Sequence, residues 1–352
     1  MSEAQIKFYD PFKIANFNND CCFLCGCPLD DENRSDEHVF PKWLQQEFKL
    51  WDLRIELVNK TFIPYRLLTI PCCKACNNIH LSKLEVDIKA AFEGGYEKFK
   101  QLDELRLYQW LCKIYYGILF KELSLVHDRK NPEQGTIMTQ DFMERHRNIH
   151  AFLQSVRVPI KFPAEKPWSI FIVETQSYPE VELNYDYHDN VACLTFSIRL
   201  GGIGILACLE DSSAQKQLFD EYFAQFEGIK LHPIQFDELA AKIAYKASLF
   251  NRNPEYFNLI PSTEGMDVFI IIPHVQGLTT DPMFKDWDQK IYAKMLATYW
   301  GRHGFDISTI YQEPNLVFTM ITNPDGTIKV LNEDGSLNYN HTPLKIFGDD
   351  LE

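Results

Sequence analysis

The sequence predicts an α+β protein: a zinc-binding N-terminal domain, a helical middle, and a C-terminal α+β domain with a mainly antiparallel sheet. Three observations predict it. Seven of the ten cysteines fall between Cys21 and Cys76. Apolar residues after about residue 90 recur at helical spacing. From about residue 160, short strand-like runs alternate with helical ones. A chain of 352 residues has room for two or three domains. The texture places their boundaries at 1–90, 91–160 and 161–352.

Composition narrows the class. The chain is 45% hydrophobic and 14% aromatic, enough for sizeable cores. No apolar run reaches the roughly 18 residues that span a bilayer. The opening stretch MSEAQIKFYD lacks the basic-then-apolar pattern of a secretion signal. A cytoplasmic protein without a membrane partner is therefore expected. In that setting clustered cysteines point to a metal rather than to disulfides. Cys112, Cys193 and Cys208 stand in apolar surroundings and read as buried thiols. The formal net charge of -14 excludes a protein that coats nucleic acid through its overall charge. The first hundred residues carry 13 basic against 15 acidic groups, and the rest carry 22 against 34. The acidic excess thus belongs to the later chain, which could dock a protein partner. The first segment keeps room for a local basic surface.

The elements follow in order. After the cysteine segment, AAFEGGYEKFKQLDEL leads into the helix LRLYQWLCKIYYGILFKEL. HDRKNPEQGT is a charged loop, and DFMERHRNIHAFLQSV a further helix with Asp141 as its cap. Within it His146 and His150 stand at i and i+4 without the glutamate of an HExxH pattern, and read as a solvated basic face. WSIFIVET and VACLTFSIRLGGIGILACLED read as strands, with a turn at Gly201–Gly202. SSAQKQLFDEYFAQFEG is a helix opened by serines, FDELAAKIAYKASLF a second and DWDQKIYAKMLATYWGRHG a third. DVFIIIP is a short buried strand, and LVFTMIT with TIKVLN a closing hairpin across NPDG. The later half contains no Gly-rich phosphate loop, nucleophile elbow or carboxylate constellation.

The chemistry concentrates in two short motifs. Cys22-Phe-Leu-Cys25-Gly26 and Cys73-Lys-Ala-Cys76-Asn77 each bracket a tight turn with two thiols. Two such knuckles complete a tetrahedral S4 site for Zn2+. Forty-seven residues separate Cys25 from Cys73, so a folded element must lie between them. Cys21, Cys27 and Cys72 are spare, and each could replace an assigned ligand.

Between the knuckles lies DEHVFPKWL, residues 36–44. CFLCG, EHVFP and CKACNN together resemble the zinc-stapled branch of the HNH endonucleases, over residues 20–90. The resemblance implies a ββα-metal, treble-clef-like fold and metal-dependent hydrolysis of phosphodiester bonds. The substrate would be DNA, with RNA as the alternative, in a bacterial defence system or mobile element. It implies His38 as general base, a role an imidazole can fill at neutral pH. It implies Glu37 as a ligand of Mg2+ or Mn2+, with Asp36 as its substitute. Strand alternation sends Glu37 and His38 to opposite faces, so irregular backbone is expected to bring both to the ion. Asn77 matches the motif's closing residue and would ligate the ion or bind phosphate at a helix N-terminus. His80 lies on the same helical face and is a second candidate ligand. Glu85, two turns on, would support the site.

The motif's central asparagine has no counterpart. Arg66, Leu67 and Leu68 stand in its place, and Asn59 lies too far back. Lys42, Arg66 and Lys74 are candidate phosphate contacts, while Trp43 and Leu44 pack in the small core. Two functional readings follow: an HNH endonuclease, or a zinc-stabilised binding module without catalysis. A structural zinc domain has no need of the Glu37–His38 pair, which favours the first.

Overall fold

A computed structural model describes residues 8–13, 17–251, 254–259, 269–274 and 282–336. The chain divides into two compact units, 1–164 with 255–274, and 165–254 with 275–352. The cysteine segment and the helical segment after it therefore belong to one unit, and residues 161–352 do not form one continuous body.

In the first unit β1 (Arg34–His38) is followed by α1 (Lys42–Glu47) and a small hairpin of β2 (Arg54–Glu56) and β3 (Phe62–Pro64). β4 (Thr69–Cys73) then returns antiparallel to β1, pairing Arg34 with Cys73 and His38 with Thr69. A π-helical turn, Cys76–Leu81, runs directly into α2 (Ser82–Glu93). The order is two antiparallel strands, then a helix. α2 turns its apolar stripe of Leu84, Ile88 and Ala91 inward. Trp43 packs on Phe92, and Leu44 is fully buried, both as the sequence suggests.

α3 (Gly95–Phe99) leads to α4 (Glu104–Glu122), opened by Asp103, whose carboxylate accepts from the Leu105 N–H. From Leu107 to Phe120 every residue of α4 is buried. A helix apolar all round belongs in a core, and α4 packs against α2, β4 and α6 (Arg147–Leu153). Between them α5 (Gln140–Glu144) starts at Thr139, whose hydroxyl accepts from Phe142 N–H. Asp141 is not the cap; it sits in the first turn, where a carboxylate favours the helix dipole. β5 (Ile160–Lys161) runs parallel to strand Phe269–His274, itself antiparallel to strand Glu255–Leu259. The expected buried strand DVFIIIP thus joins this unit. Its Asp267 and Val268 lie outside the described residues, and its Ile272 is exposed while Ile271 is buried.

The second unit is an antiparallel four-stranded sheet in the order β6 (Ser169–Glu174), β9 (Ile203–Cys208), β8 (Thr195–Leu200), β7 (Tyr185–Asn190). β8 and β9 form the expected hairpin at Gly201–Gly202. β8 and β9 are buried at every position, which explains why they read as continuous apolar runs rather than alternating ones. α7 (Ala214–Ala224), α8 (Pro233–Ser248) and α9 (Gln289–Trp300) pack on this sheet or each other around Phe236, Leu239, Leu296 and Trp300. Ser213 stands at the N-cap of α7, as expected, but its side chain makes no cap hydrogen bond. Asp211 supplies the acceptor instead, its carboxylate accepting from Ser213 N–H and Gln215 N–H. The NPDG turn forms, but among the described residues only a single bridge, Thr322 to Ile328, flanks it. Leu316–Val317 pairs back with Tyr311–Gln312 instead of continuing the hairpin.

β9 sits against α8 at Gly204. A Cβ there would come within 2.7 Å of the Phe236 ring and 3.0 Å of Thr175 Cγ2. Phe236 is fully buried and has nowhere to retreat. Gly204→Ala is expected to cost about 1–3 kcal/mol by overpacking, read as a lower urea midpoint at unchanged m-value.

Candidate metal centre and active site

The four expected sulfurs come together. One Sγ each from Cys22, Cys25, Cys73 and Cys76 lies within 4.8 Å of the others. Cys25 Sγ and Cys73 Sγ are 3.7 Å apart, close to the roughly 3.8 Å edge of a tetrahedron with ~2.3 Å metal–sulfur bonds. The donor set fits one tetrahedral thiolate-bound ion. Cys21, Cys27 and Cys72 stand outside this group of four, although Cys72 Sγ is 3.9 Å from Cys22 Sγ.

Local backbone explains the closeness. Gly26 adopts φ +71, a left-handed conformation that glycine takes without strain. Its N–H donates to Cys22 C=O at 2.8 Å, and Phe23 N–H donates to Pro71 C=O at 2.9 Å, tying the first knuckle to β4. A Cβ on Gly26 would run into the Tyr9 ring.

His146 and His150 overturn the solvated-face reading. Both are buried and hydrogen-bonded. His146 Nδ1 donates to Phe142 C=O at 3.2 Å, and its Nε2 lies 3.2 Å from Tyr115 Oη. His150 Nε2 donates to Phe23 C=O at 2.9 Å, and Gln154 Nε2 donates to Leu24 C=O at 2.8 Å. The two carbonyls between the first pair of cysteines are thereby held from α6 and the turn after it.

β1 keeps regular pairing to its last residue, so no irregular backbone turns Glu37 and His38 to one point. That expectation fails. Glu37 points inward and is buried. Its Oε1 pairs with Lys113 Nζ, which is itself 2.7 Å from Glu85 Oε1 and donates to His38 C=O at 2.7 Å. Burial pushes the Glu37 carboxyl up to about 7, against the pull of Lys113. Lys113 is the residue sequence reasoning missed. Its signal was a lone charge within the apolar stretch of α4.

His38 faces the other way and is half-exposed, with Asp36 on the same face by strand alternation. Burial first, then Lys42 and Lys113, lower its pKa and so favour the neutral ring. The Trp51 ring lies alongside at 6.0 Å with a 24° tilt, an unforeseen neighbour. Asn77 Nδ2 donates to Ser35 Oγ at 3.0 Å and to Asp36 C=O at 3.3 Å, so it laces the helix start to β1. His80 is half-buried on the same turn, its pKa lowered by burial. Of the expected ligands of a second cation, Glu37 is engaged by Lys113 and Asn77 by β1, and neither Glu37 nor His80 belongs to a metal-sized group of His, Cys, Asp and Glu side chains among the described residues.

Of the basic candidates, Lys42 is exposed beside His38. Arg66 Nη1 is 2.5 Å from Asp52 Oδ1. Lys74 donates to Glu32 C=O at the far end of the strand pair from His38. Asn59 braces its own turn, accepting from Thr61 N–H and donating to His127 C=O. No protein-family model, curated protein or solved structure matches the chain.

Two predictions follow from this geometry. Lys113→Ala strands Glu37 in the core, and removing one partner of a buried pair costs about 3–5 kcal/mol; urea melts would read the loss. His150 has its pKa pushed down to about 4 by burial, against about 6.5 unfolded. Between those values the unfolded chain binds more protons. The contribution is full above pH 6.5 and is lost as pH falls towards 4. Acidification from pH 7 to 5 should remove about 2 kcal/mol through this group, and His150→Gln should flatten that part of the pH slope.

Proposed function

We propose that residues 20–90 are a zinc-stapled nuclease module of the HNH type, with the ββα-metal fold, hydrolysing phosphodiester bonds in DNA. The observation that carries this reading is the strand–strand–helix order, closed by four convergent cysteines, with a half-exposed histidine at the end of β1 between them. A structural zinc site needs no such histidine. In this reading the ion at the four sulfurs is Zn2+, which fixes the start of the helix relative to β1.

His38 takes the proton of the attacking water. Lys113 holds the His38 carbonyl from behind and so sets the strand that carries the ring. Asn77 holds β1 against the helix start through Ser35 and Asp36. Lys42 supplies positive charge beside the base, where a phosphate would sit. Glu37 is engaged by Lys113, so no step is drawn through a second cation bound there.

The competing reading, a binding module without catalysis, draws on that same engagement of Glu37. Nicking of supercoiled plasmid with Mg2+ or Mn2+ separates the two. Wild type should nick, and His38→Ala should be slower by about 10²–10⁴-fold, the usual worth of a general base, while melting alike. Equal nicking by both proteins would sink the assignment of His38, and no nicking by either would favour the binding module. Elemental analysis should find one zinc per chain, lost in Cys25→Ser.

A further inference from the structure

The second unit buries a charged cluster that the nuclease reading leaves without a task. β7 supplies Asp186 and His188, two residues apart and so on one face of the strand. α8 supplies Asp237, fully buried, and the turn after α9 supplies Arg302 and His303. One ligating atom each from Asp186, His188 and Asp237 lies within 4.8 Å of the others. His303 Nε2 is 2.7 Å from Asp237 Oδ2 and orients that carboxylate.

The spacing of the ligand atoms also points to an ion. Asp186 is only 8% exposed, and its Oδ2 faces His188 Nε2 as an ion pair at 3.2 Å. Two ligand atoms at ~2.0–2.1 Å from one ion stand about 3.3 Å from each other. Both atoms are closed off from solvent, and a bare cation at that spacing would replace the proton between them.

Arg302 now provides the positive charge. Its Nη1 pairs with Asp186 Oδ1, its Nη2 lies 2.7 Å from Asp237 Oδ1, and its Nε 3.1 Å from Asp237 Oδ2. The Arg302 side chain is 35% exposed, so it can leave towards solvent. Arg199, paired across the sheet from Asp186, is buried and would stay.

We propose that Asp186, His188 and Asp237 form a divalent-cation site, with Arg302 as the internal cation that holds the ligands until the ion displaces it. Two carboxylates and one imidazole suit a harder ion such as Mn2+ better than the thiolate-bound ion of the first unit. The ion would tie β7 to α8 and release a guanidinium to the surface.

The test uses the full chain with its thiols saturated with zinc, titrated with Mn2+ and followed by electron paramagnetic resonance of the free ion. The expected result is a saturable site that survives Asn77→Ala and His80→Ala, so it is not a site of the nuclease module. His188→Ala and Asp237→Asn should weaken it at least tenfold. Arg302→Gln should tighten it several-fold, an effect that misfolding cannot imitate. Uptake unchanged in His188→Ala, uptake lost in Arg302→Gln, or no saturable uptake by wild type would each overturn the proposal and leave the cluster an ion-pair network.

Discussion

The first unit is organised around one buried ammonium group. Lys113 lies in the middle of a helix otherwise surrounded by apolar side chains, and it has no exposed surface. Its three donors go to Glu37, to Glu85 and to the carbonyl of His38. These partners come from β1 and α2, the first strand and the helix of the strand–strand–helix unit. A buried charge of this kind contributes little net stability over an apolar replacement, and losing one partner is costly. Its physical effect is to fix register, because no other arrangement satisfies all the groups. The position of the His38 backbone is therefore set from the core and not from the surface where chemistry would occur.

The cysteines impose a second, independent constraint. A short strand pair and one amphipathic helix bury too little apolar surface to be rigid alone. Sulfurs on the first knuckle and at the end of β4 tie down both ends of the segment, and His150 with Gln154 grips the first knuckle from α6. The metal set and the helical segment are thus parts of one folded body. That is why the anticipated boundary at residue 90 does not appear as a division between compact units.

Much of this was legible in sequence, for physical reasons. Two CxxC pairs specify a turn geometry, and Gly201–Gly202 between apolar runs specifies a hairpin. Both formed. What escaped was carried by residues whose meaning depends on partners distant in sequence. β7 is a polar run, YDYHDN, poor in strand-forming residues, and only its pairing with buried β8 makes it a strand. It holds Asp186 and His188. The HRNIH stretch looked solvated because it is polar, yet its histidines are satisfied by a tyrosine and backbone carbonyls that local pattern cannot reveal. Lys113 was hidden by the same rule: a lone lysine on an apolar helix is informative only once Glu37 and Glu85 are seen beside it.

The Lys113 network also limits how a catalytic cation could be held. Glu37 and His38 stand on opposite sides of a regular strand, and the side of Glu37 already contains a fixed positive charge. A divalent ion placed there would sit next to an ammonium group in a poorly screened interior, where like charges repel strongly. The face of His38 carries Asp36, is open to water, and has Lys42 and Trp51 at its edge. In the proposed reading, an ion working with His38 would be taken on that outer face, where Asp36, itself ion-paired with Arg34, offers an oxygen donor, while Glu37 engages Lys113 in the core.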